Sequence, residues 1–251
     1  MKHSTIKTIC VSVACAVLLC SLLVSASVAQ NQKAEKPWTE WTQKDAEKIL
    51  SGSPWSQAQV DTDTRELFFS PTNDSRSGGG TNPEARLESG ARNQAVDIKF
   101  IVRFFSARPV RQALVRLMEL KQKPEPDMIE RMHAFANVKS TESIIVTLTV
   151  ETPDQRYLGP AMQAMNSAIT ANLKNETYLE RGGKRHFLHE YVPPGQDGFG
   201  ARFIFLRNVD DKPFIDGNSG EVRFLTKYPN GMKVDRRFKV SDMMYEGQLE
   251  Y

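Results

Sequence analysis

Hydrophobic and polar residues alternate between positions 96 and 104, where Val96, Ile98, Phe100, Val102 and Phe104 occupy every second position. A period of two predicts a β-strand with one buried face. Residues 143–150 are rich in β-branched side chains and predict a more deeply buried strand. Further strands are expected at 57–69, 177–181, 184–191, 201–207, 221–227 and 234–240. Gly182 and Gly183 separate two of these segments and predict a tight hairpin.

Apolar residues recur at helical spacing in four other segments. Thr42 and Asp45 fit a capping box that starts a helix over 42–50. Pro109 and Pro126 open two further helices, and Pro153 leads into a fourth. The residues expected to face the core are Ala46, Ile49 and Leu50 in the first helix, Val110, Ala113, Leu114, Leu117 and Met118 in the second, Ile129, Met132 and Ala136 in the third, and Leu158, Met162, Met165 and Ile169 in the fourth.

The order of these elements predicts an α+β fold, a mostly antiparallel sheet with three or four helices packed on one face. We expect residues 37–251 to form a single domain that follows a flexible tail at 30–36. Residues 70–93 are rich in Ser, Gly, Asn and Pro and have no apolar period, so a long flexible loop is expected there.

The first 29 residues have the three parts of a secretory signal peptide. Lys2 and Lys7 form a basic start, residues 9–24 carry no charge, and Ser27 and Ala29 place small side chains before a cut after Ala29. An uncleaved anchor is the alternative. Sixteen helical residues span roughly 24 Å, which is short of the roughly 30 Å hydrocarbon core, so cleavage is favoured. The sequence thus predicts export to the periplasm or the extracellular space.

Cleavage would change what the composition implies. The whole chain has 251 residues, with 33 Lys and Arg against 30 Asp and Glu. All three cysteines, Cys10, Cys15 and Cys20, lie in the segment expected to be removed. The remaining 222 residues carry 31 basic against 30 acidic side chains and no cysteine. Disulfides, a thiol nucleophile and a thiolate zinc site are then excluded.

The composition also excludes broad functional classes. With 40% hydrophobic and 25% charged residues, the chain is neither a polytopic membrane protein nor disordered throughout. Basic and aromatic residues interleave at 99–105, 202–205 and 236–239, as in base-stacking platforms. Strands with an aromatic inner face and a charged outer face have the same pattern. The nearly neutral charge favours this second interpretation, and no nucleic-acid partner is expected.

Histidines offer the most suggestive metal pattern. His186, His189 and Glu190 are residue types that bind zinc. The metalloprotease motif, however, needs histidines four apart on a helix with Glu directly after the first. Strand residues three apart point to opposite faces, so one ion could not take both imidazoles. His133 lies in a helical stretch and is interpreted as a surface or packed side chain. No metal site is predicted.

Other candidate motifs are equally incomplete. Residues 216–221 partly match a calcium loop but lack its glycine at the sixth position, so an ordinary turn is expected. Asp61 and Asp63 share a strand face, which could hold a cation or simply be solvated. The triplet at 78–80 is not followed by the Lys-Ser/Thr of a phosphate-binding loop. No nucleophile motif is present, and neither a catalytic residue nor a cofactor is predicted.

The three tryptophans are clustered near the start of the expected domain. Trp38 and Trp41 precede the first helix, and Trp55 follows its end. They could clamp the helix onto the sheet, or be exposed and stack on sugars or grip a partner. Packing is the favoured interpretation.

The same segment carries a resemblance. Lys36-Pro37-Trp38-Thr39, Asp45-Ala46-Glu47-Lys48-Ile49-Leu50 and Ser53-Pro54-Trp55 resemble a group of exported bacterial proteins that has no assigned function. The similarity covers about twenty residues. It implies a bacterial, exported protein and brings with it no activity, catalytic residue or cofactor.

Three functional hypotheses follow from the sequence. The leading one is an exported, soluble, non-catalytic binding or envelope-associated module whose partner is an unknown protein or envelope component. The first alternative is a secreted hydrolase that uses a pair of Asp or Glu carboxylates, which can lie far apart in a sequence. The second is a membrane-tethered accessory subunit, which touches the membrane only through an uncleaved signal segment.

Overall fold

The computed structural model describes residues 36–61, 97–153 and 155–251. The expected signal peptide, residues 30–35 of the tail, the loop at 70–93, Gly78–Gly80 and Asp63 lie outside these ranges. The segment Trp38–Tyr251 forms one compact unit. Within its described part, no helix has both the length and the apolar character that crossing a membrane requires.

Five helices are present in the described residues, and four of them begin within two residues of where the patterns place them. They are α1 (Gln43–Ser51), α2 (Arg108–Gln122), α3 (Pro126–Asn137), α4 (Gln155–Ser167) and the short α5 (Thr170–Leu173). Single 3-10 turns occur at Trp38–Glu40 and Val240–Asp242. The capping box of α1 is confirmed: the Asp45 N–H donates to the Thr42 hydroxyl at 3.2 Å, and the Thr42 N–H donates to the Asp45 carboxylate at 3.0 Å.

The strands form two principal sheets. One has the order β1 (Ser56–Asp61), β2 (Ile98–Phe104), β3 (Ser143–Glu151), β7 (Ala201–Leu206) and β6 (Glu190–Val192). The other has the order β11 (Lys233–Lys239), β10 (Glu221–Lys227), β4 (Thr177–Arg181) and β5 (Lys184–Phe187). Two small hairpins pair β8 (Asn208–Val209) with β9 (Lys212–Pro213) and β12 (Met244–Tyr245) with β13 (Gln248–Leu249).

The predicted α+β class is confirmed, since each pair of neighbouring strands in the described sheets is antiparallel. The placement of the helices on one face stays a prediction. The principal sheets pack against each other through aromatic rings. Phe104 meets Phe238 edge-on at 4.8 Å between centroids, and Phe203 meets Phe224 at 5.1 Å. The core therefore lies between two sheets, where the sequence predicted a single one.

Strand β2 is more deeply buried than its alternation predicts. Ile98, Phe100, Val102 and Phe104 face the core as expected, but Ile101 on the opposite face is also fully buried. The strand lies inside the sheet, between β1 and β3, and the end of α1 approaches the same face. There the Leu50 carbonyl accepts a 2.6 Å hydrogen bond from Arg103 Nε. The expectation of a single buried face was wrong at this strand.

The segment 184–191 is not one strand. Strand β5 ends at Phe187 and belongs to the four-stranded sheet, whereas β6 begins at Glu190 and belongs to the other. Between them Leu188 is buried in the core, and the N–H of His189 donates to the Ile204 carbonyl of β7. The chain changes sheets here because the buried Leu188 anchors the bend while each side pairs with a different partner.

The buried face of α4 is rotated from the predicted one. Tyr157, Ala161, Ala164 and Met165 are buried, whereas Leu158 and Met162 lie at its margin. Ile169 is 59% exposed because the helix ends at Ser167, before helical geometry would carry that side chain inward. Small alanines allow the helix to approach the core closely, which periodicity in bulky residues alone does not reveal.

Candidate functional site

Two hairpins form the walls of a cleft. Strands β4 and β5 meet at Gly182 and Gly183, whose φ values of +53° and +79° are those of a two-residue turn that glycine favours. The predicted hairpin is thus confirmed. Strands β8 and β9 meet at Asp210 and Asp211, which also adopt left-handed φ values of +51° and +58°. Each turn places basic side chains on the strands beside it.

The cleft between the hairpins has a volume of about 600 Å³. Its lining residues are Arg181, Lys184, Arg185, His186, Val209, Asp210, Lys212, Pro213 and Phe214. Four of these side chains are cationic at neutral pH and only Asp210 is anionic. The lining therefore carries a local excess of positive charge, although the whole chain is nearly neutral.

The two arginines of the cleft are held by neighbouring carboxylates. Arg181 Nη1 lies 3.0 Å from the Asp216 carboxylate and donates to the Ser219 hydroxyl at 2.9 Å. Arg185 Nε lies 3.3 Å from the Glu180 carboxylate, and its guanidinium sits 4.5 Å from the centre of the Tyr178 ring. These contacts orient the arginines and offset part of their charge.

The two lysines differ from the arginines. Within the described residues, no carboxylate lies within 4 Å of the ammonium of Lys184 or Lys212. Both side chains are exposed, and they approach the cleft from opposite hairpins. Their positive charges are therefore available to a ligand in the cleft.

His186 forms part of the inner wall and does not act with His189. Its Nε2–H donates to the Leu206 carbonyl at 2.8 Å, and its ring lies 4.9 Å from that of Phe214. His189 is exposed and lies beyond the bend at Leu188. The two histidines are separated because the strand ends between them, and not only because strand residues three apart point to opposite faces. No group of three metal-ligating side chains occurs in the described residues.

A second, smaller cleft of about 310 Å³ brings two carboxylates together. It contains Glu180, Glu221, Arg223 and Arg237, together with Gly182 and Ser219. Glu221 is bound by Arg237 at 2.9 Å, and Glu180 is bound by Arg185. The hydrolase alternative requires such a pair of carboxylates, but both of these are already engaged by guanidinium groups.

Three carboxyl groups of the described residues have a pKa below the ordinary value. The Asn218 N–H is the main cause for the pKa of Asp216, the Arg223 guanidinium for the pKa of Asp235, and the Lys239 ammonium for the pKa of Asp242. A general acid in glycoside hydrolysis needs the opposite shift. These three groups are therefore unsuited to that role.

The residues of the partial calcium loop form a turn, in which the Ser219 N–H donates to the Asp216 carbonyl at 3.0 Å. Asp216 accepts hydrogen bonds from the Asn218 N–H at 2.9 Å and from the Ser219 hydroxyl at 3.1 Å. Asp61 is engaged in a comparable way, because its carboxylate accepts from the Gln59 amide at 3.1 and 3.2 Å. Both carboxylates therefore serve local structure.

The interleaved basic and aromatic strands have aromatic inner faces, as expected. The rings of Phe100, Phe203 and Phe238 are fully buried. Arg202 and Arg237 extend from the opposite faces of their strands to Asp197 and Glu221. Buried rings cannot stack on nucleobases, so these segments do not form a base-binding platform.

The tryptophans are packed, in line with the favoured interpretation. Trp38 is 9% exposed and meets the His133 ring edge-on at 4.6 Å, while His133 Nε2 is held by Glu119. Trp55 is 7% exposed. Trp41 is half-buried, and its carbonyl accepts a 2.8 Å hydrogen bond from Arg116. The tryptophan segment thus fixes α1 to α2 and α3, and it explains the role of His133.

Sequence patterns did not identify the cleft between the two hairpins. Arg181, Lys184 and Arg185 flank the glycine turn, and this local basic cluster was the available signal. The opposite wall was not predictable in this way, because β8 and β9 have two residues each and leave no periodic pattern. No protein-family model matches the chain, and comparisons with curated proteins and with solved structures found no significant match.

Proposed function

We propose that the protein is an exported, non-catalytic binding protein that holds an anionic ligand in the basic cleft between the β4–β5 and β8–β9 hairpins. The observation that carries this proposal is the pair of lysines, Lys184 and Lys212, which line one cleft and have no carboxylate partner among the described residues.

The cleft has the size and chemistry for this role. A volume of about 600 Å³ lies within the range of small-molecule sites. Ordered arginines and free lysines supply charge-assisted hydrogen bonds to phosphate, sulfate or carboxylate oxygens. Phe214 and Val209 add apolar contact area beside the charges. A ligand with anionic groups and a short apolar portion would complement this lining.

Export is supported by the sequence of the first 29 residues and by the cysteine-free chain that cleavage would leave. Sequencing the N-terminus of the protein recovered from the producing cell tests this part. A mature chain beginning at Gln30 agrees with the proposal, and a retained Met1 in a membrane fraction would favour the tethered alternative.

Anion binding is tested by calorimetric titration of the purified protein with sodium tripolyphosphate as a small polyanionic probe. The double variant Lys184→Ala/Lys212→Ala should bind at least tenfold more weakly, because each lost charge-assisted contact contributes on the order of 1.5 kcal/mol. The matched control is Lys44→Ala/Lys174→Ala, which removes the same charge from exposed sites outside the cleft. Equal weakening in both double variants would contradict a site in the cleft.

A further inference from the structure

Each principal sheet has two outer edges, and three of these four edges are engaged by other parts of the described chain. The edges of β1 and β11 adjoin, and the Gln59 amide bridges them by donating to the Lys233 carbonyl and accepting from the Asp235 N–H, both at 2.9 Å. On β6, the Tyr191 N–H donates to the Thr170 hydroxyl of α5 at 2.9 Å. Uncovered edges favour association, and proteins commonly block them.

Strand β5 is the remaining edge. The Leu188 N–H donates to the Thr177 carbonyl. Thr177 and Leu188 therefore form a hydrogen-bonded cross-strand pair that continues the β4–β5 register. Because hydrogen-bonded pairs alternate along an antiparallel ladder, Leu179–His186 and Arg181–Lys184 are the next ones. The main-chain groups of Arg185 and Phe187 therefore point away from β4. They have no hydrogen-bond partner among the described residues.

The basic cleft lies along this same edge. It is lined by Lys184 and His186 from one face of β5 and by Arg185 from the other, so it includes the rim of the strand. Lys212 approaches from the opposite hairpin. The Phe187 side chain, on the same face of β5 as Arg185, is 44% exposed. Main-chain donors and acceptors, positive charges and an exposed ring are thus adjacent.

We propose that the ligand of the cleft is an extended acidic peptide segment that pairs with the free edge of β5 as an added strand. This inference rests on the proposed function and specifies its ligand. Main-chain hydrogen bonds to Arg185 and Phe187 supply affinity in strand addition, and side-chain pockets supply specificity. Acidic side chains of the peptide reach Lys184 and Lys212, while an apolar residue covers Phe187.

The charges on β5 have a competing explanation. Lysine and arginine on an edge strand prevent aggregation, and this role requires no ligand. A purely protective edge would reject every peptide strand to a similar extent. A recognition edge distinguishes peptides by their charge and by their main-chain N–H groups. These two properties separate the explanations.

The first experiment measures binding of a fluorescein-labelled eight-residue peptide of alternating Glu and Val by anisotropy. Saturable binding is expected, with at least tenfold weaker binding of the corresponding Lys-Val peptide. A Glu-Val peptide N-methylated at every residue, so that the N–H groups of both its edges are lost, should also bind at least tenfold more weakly. Equal binding of the methylated and unmethylated peptides would overturn strand addition.

The second experiment changes the protein edge. Phe187→Pro removes an outward N–H and leaves the ladder to β4 intact, and proline is tolerated at such edge positions. Phe187→Ala is the matched control, because it removes the same ring but keeps the N–H. Peptide binding should be at least fivefold weaker in the proline variant than in the alanine variant. If Phe187→Pro does not fold, the methylated peptide alone decides.

Tripolyphosphate titration separates failure of this inference from failure of the proposed function. Tripolyphosphate binding without peptide binding leaves the anionic cleft in place and rejects strand addition. Absence of binding for both probes rejects the two proposals together. Binding of both probes, with the peptide sensitive to methylation, supports both.

Discussion

The indole Nε1–H of Trp55 donates a 2.8 Å hydrogen bond to the main-chain oxygen of Glu250, which joins positions 195 residues apart in the chain. The Glu250 side chain is bound on its other side by Arg108 Nε at 2.5 Å. Next to it, the Tyr251 hydroxyl donates to the Ile215 carbonyl at 2.6 Å. Glu250 and Tyr251 thus connect the start of β1, the start of α2 and the region before β10.

Replacing Glu250 should be costly for stability. The Glu250→Gln variant leaves Arg108 without its buried partner, and breaking a buried pair typically lowers the free energy of unfolding by about 3 kcal/mol. Glu246→Gln is the matched control, since Glu246 contacts the same arginine at 3.0 Å but its side chain is 55% exposed. It should cost under about 1 kcal/mol. Urea unfolding measures both, and equal losses would contradict a dominant role for Glu250.

Gly200 should tolerate no side chain. An added Cβ would overlap the Leu148 carbonyl and lie 2.7 Å from Thr149 Cγ2, and the residue has a φ of +80°. Gly200→Ala should lower the free energy of unfolding by more than about 3 kcal/mol, because backbone atoms must move. Gly198 has a similar φ of +76° but open space around it, so Gly198→Ala should cost only about 1 kcal/mol. Thermal unfolding compares the two variants, and equal losses would mean that φ alone sets the cost.

Tryptophan emission should divide into a protected and an accessible part. Trp38 and Trp55 are buried, whereas Trp41 is half-buried. The Trp41→Phe variant should therefore lose most of the emission that acrylamide quenches, and its remaining spectrum should shift to the blue. Trp55→Phe should leave the quenchable part in place. Strong quenching that persists in Trp41→Phe would contradict the packing of the other two rings.

Asp235 should contribute to stability only above acidic pH. Arg223 binds its carboxylate at 2.7 and 2.5 Å and lowers its pKa from 3.8, so the unfolded chain takes up the proton first as the pH falls. This stabilisation is complete when the pH is above the pKa of Asp235 in the unfolded chain. It is lost as the pH falls through the pKa of Asp235 in the folded chain. Asp235→Asn should cost about 1 kcal/mol at pH 7 and progressively less below pH 4.

Urea unfolding between pH 2 and pH 7 measures this dependence. Asp211→Asn is a suitable control, because Asp211 forms no ion pair among the described residues. It should change stability little across the same range. A cost for Asp235→Asn that does not vary with pH would show that the Arg223 pair is not its source.

Local sequence rules predicted the elements whose signals are short-range. The capping residues Thr42 and Asp45, the prolines at helix starts and the Gly182–Gly183 turn each act through neighbours a few positions away. They predicted α1, α2, α3 and the β4–β5 hairpin well. The division of 184–191 between two sheets was not predictable in the same way, because it depends on where β7 and β4 meet the bend at Leu188.

The cleft, like the bend at Leu188, depends on tertiary contacts that local sequence patterns do not reveal. A sequence reveals that Lys184 and Lys212 are basic, but it does not reveal which basic residues lack a carboxylate partner. Arg181 and Lys184 are three positions apart, yet only Arg181 reaches Asp216, which lies 35 residues later. The positive charge available in the cleft therefore depends on the tertiary structure. The nearly equal numbers of basic and acidic residues in the whole chain do not reveal it.

The Gln59 bridge has a consequence for self-assembly. It joins the adjoining edges of β1 and β11, and the Thr170 hydroxyl binds to β6. In the described principal sheets, β5 is therefore the one edge strand left for pairing with another chain. Two copies that paired through β5 would each use this edge. A dimer formed in this way would leave no edge of the described principal sheets without a contact to another segment.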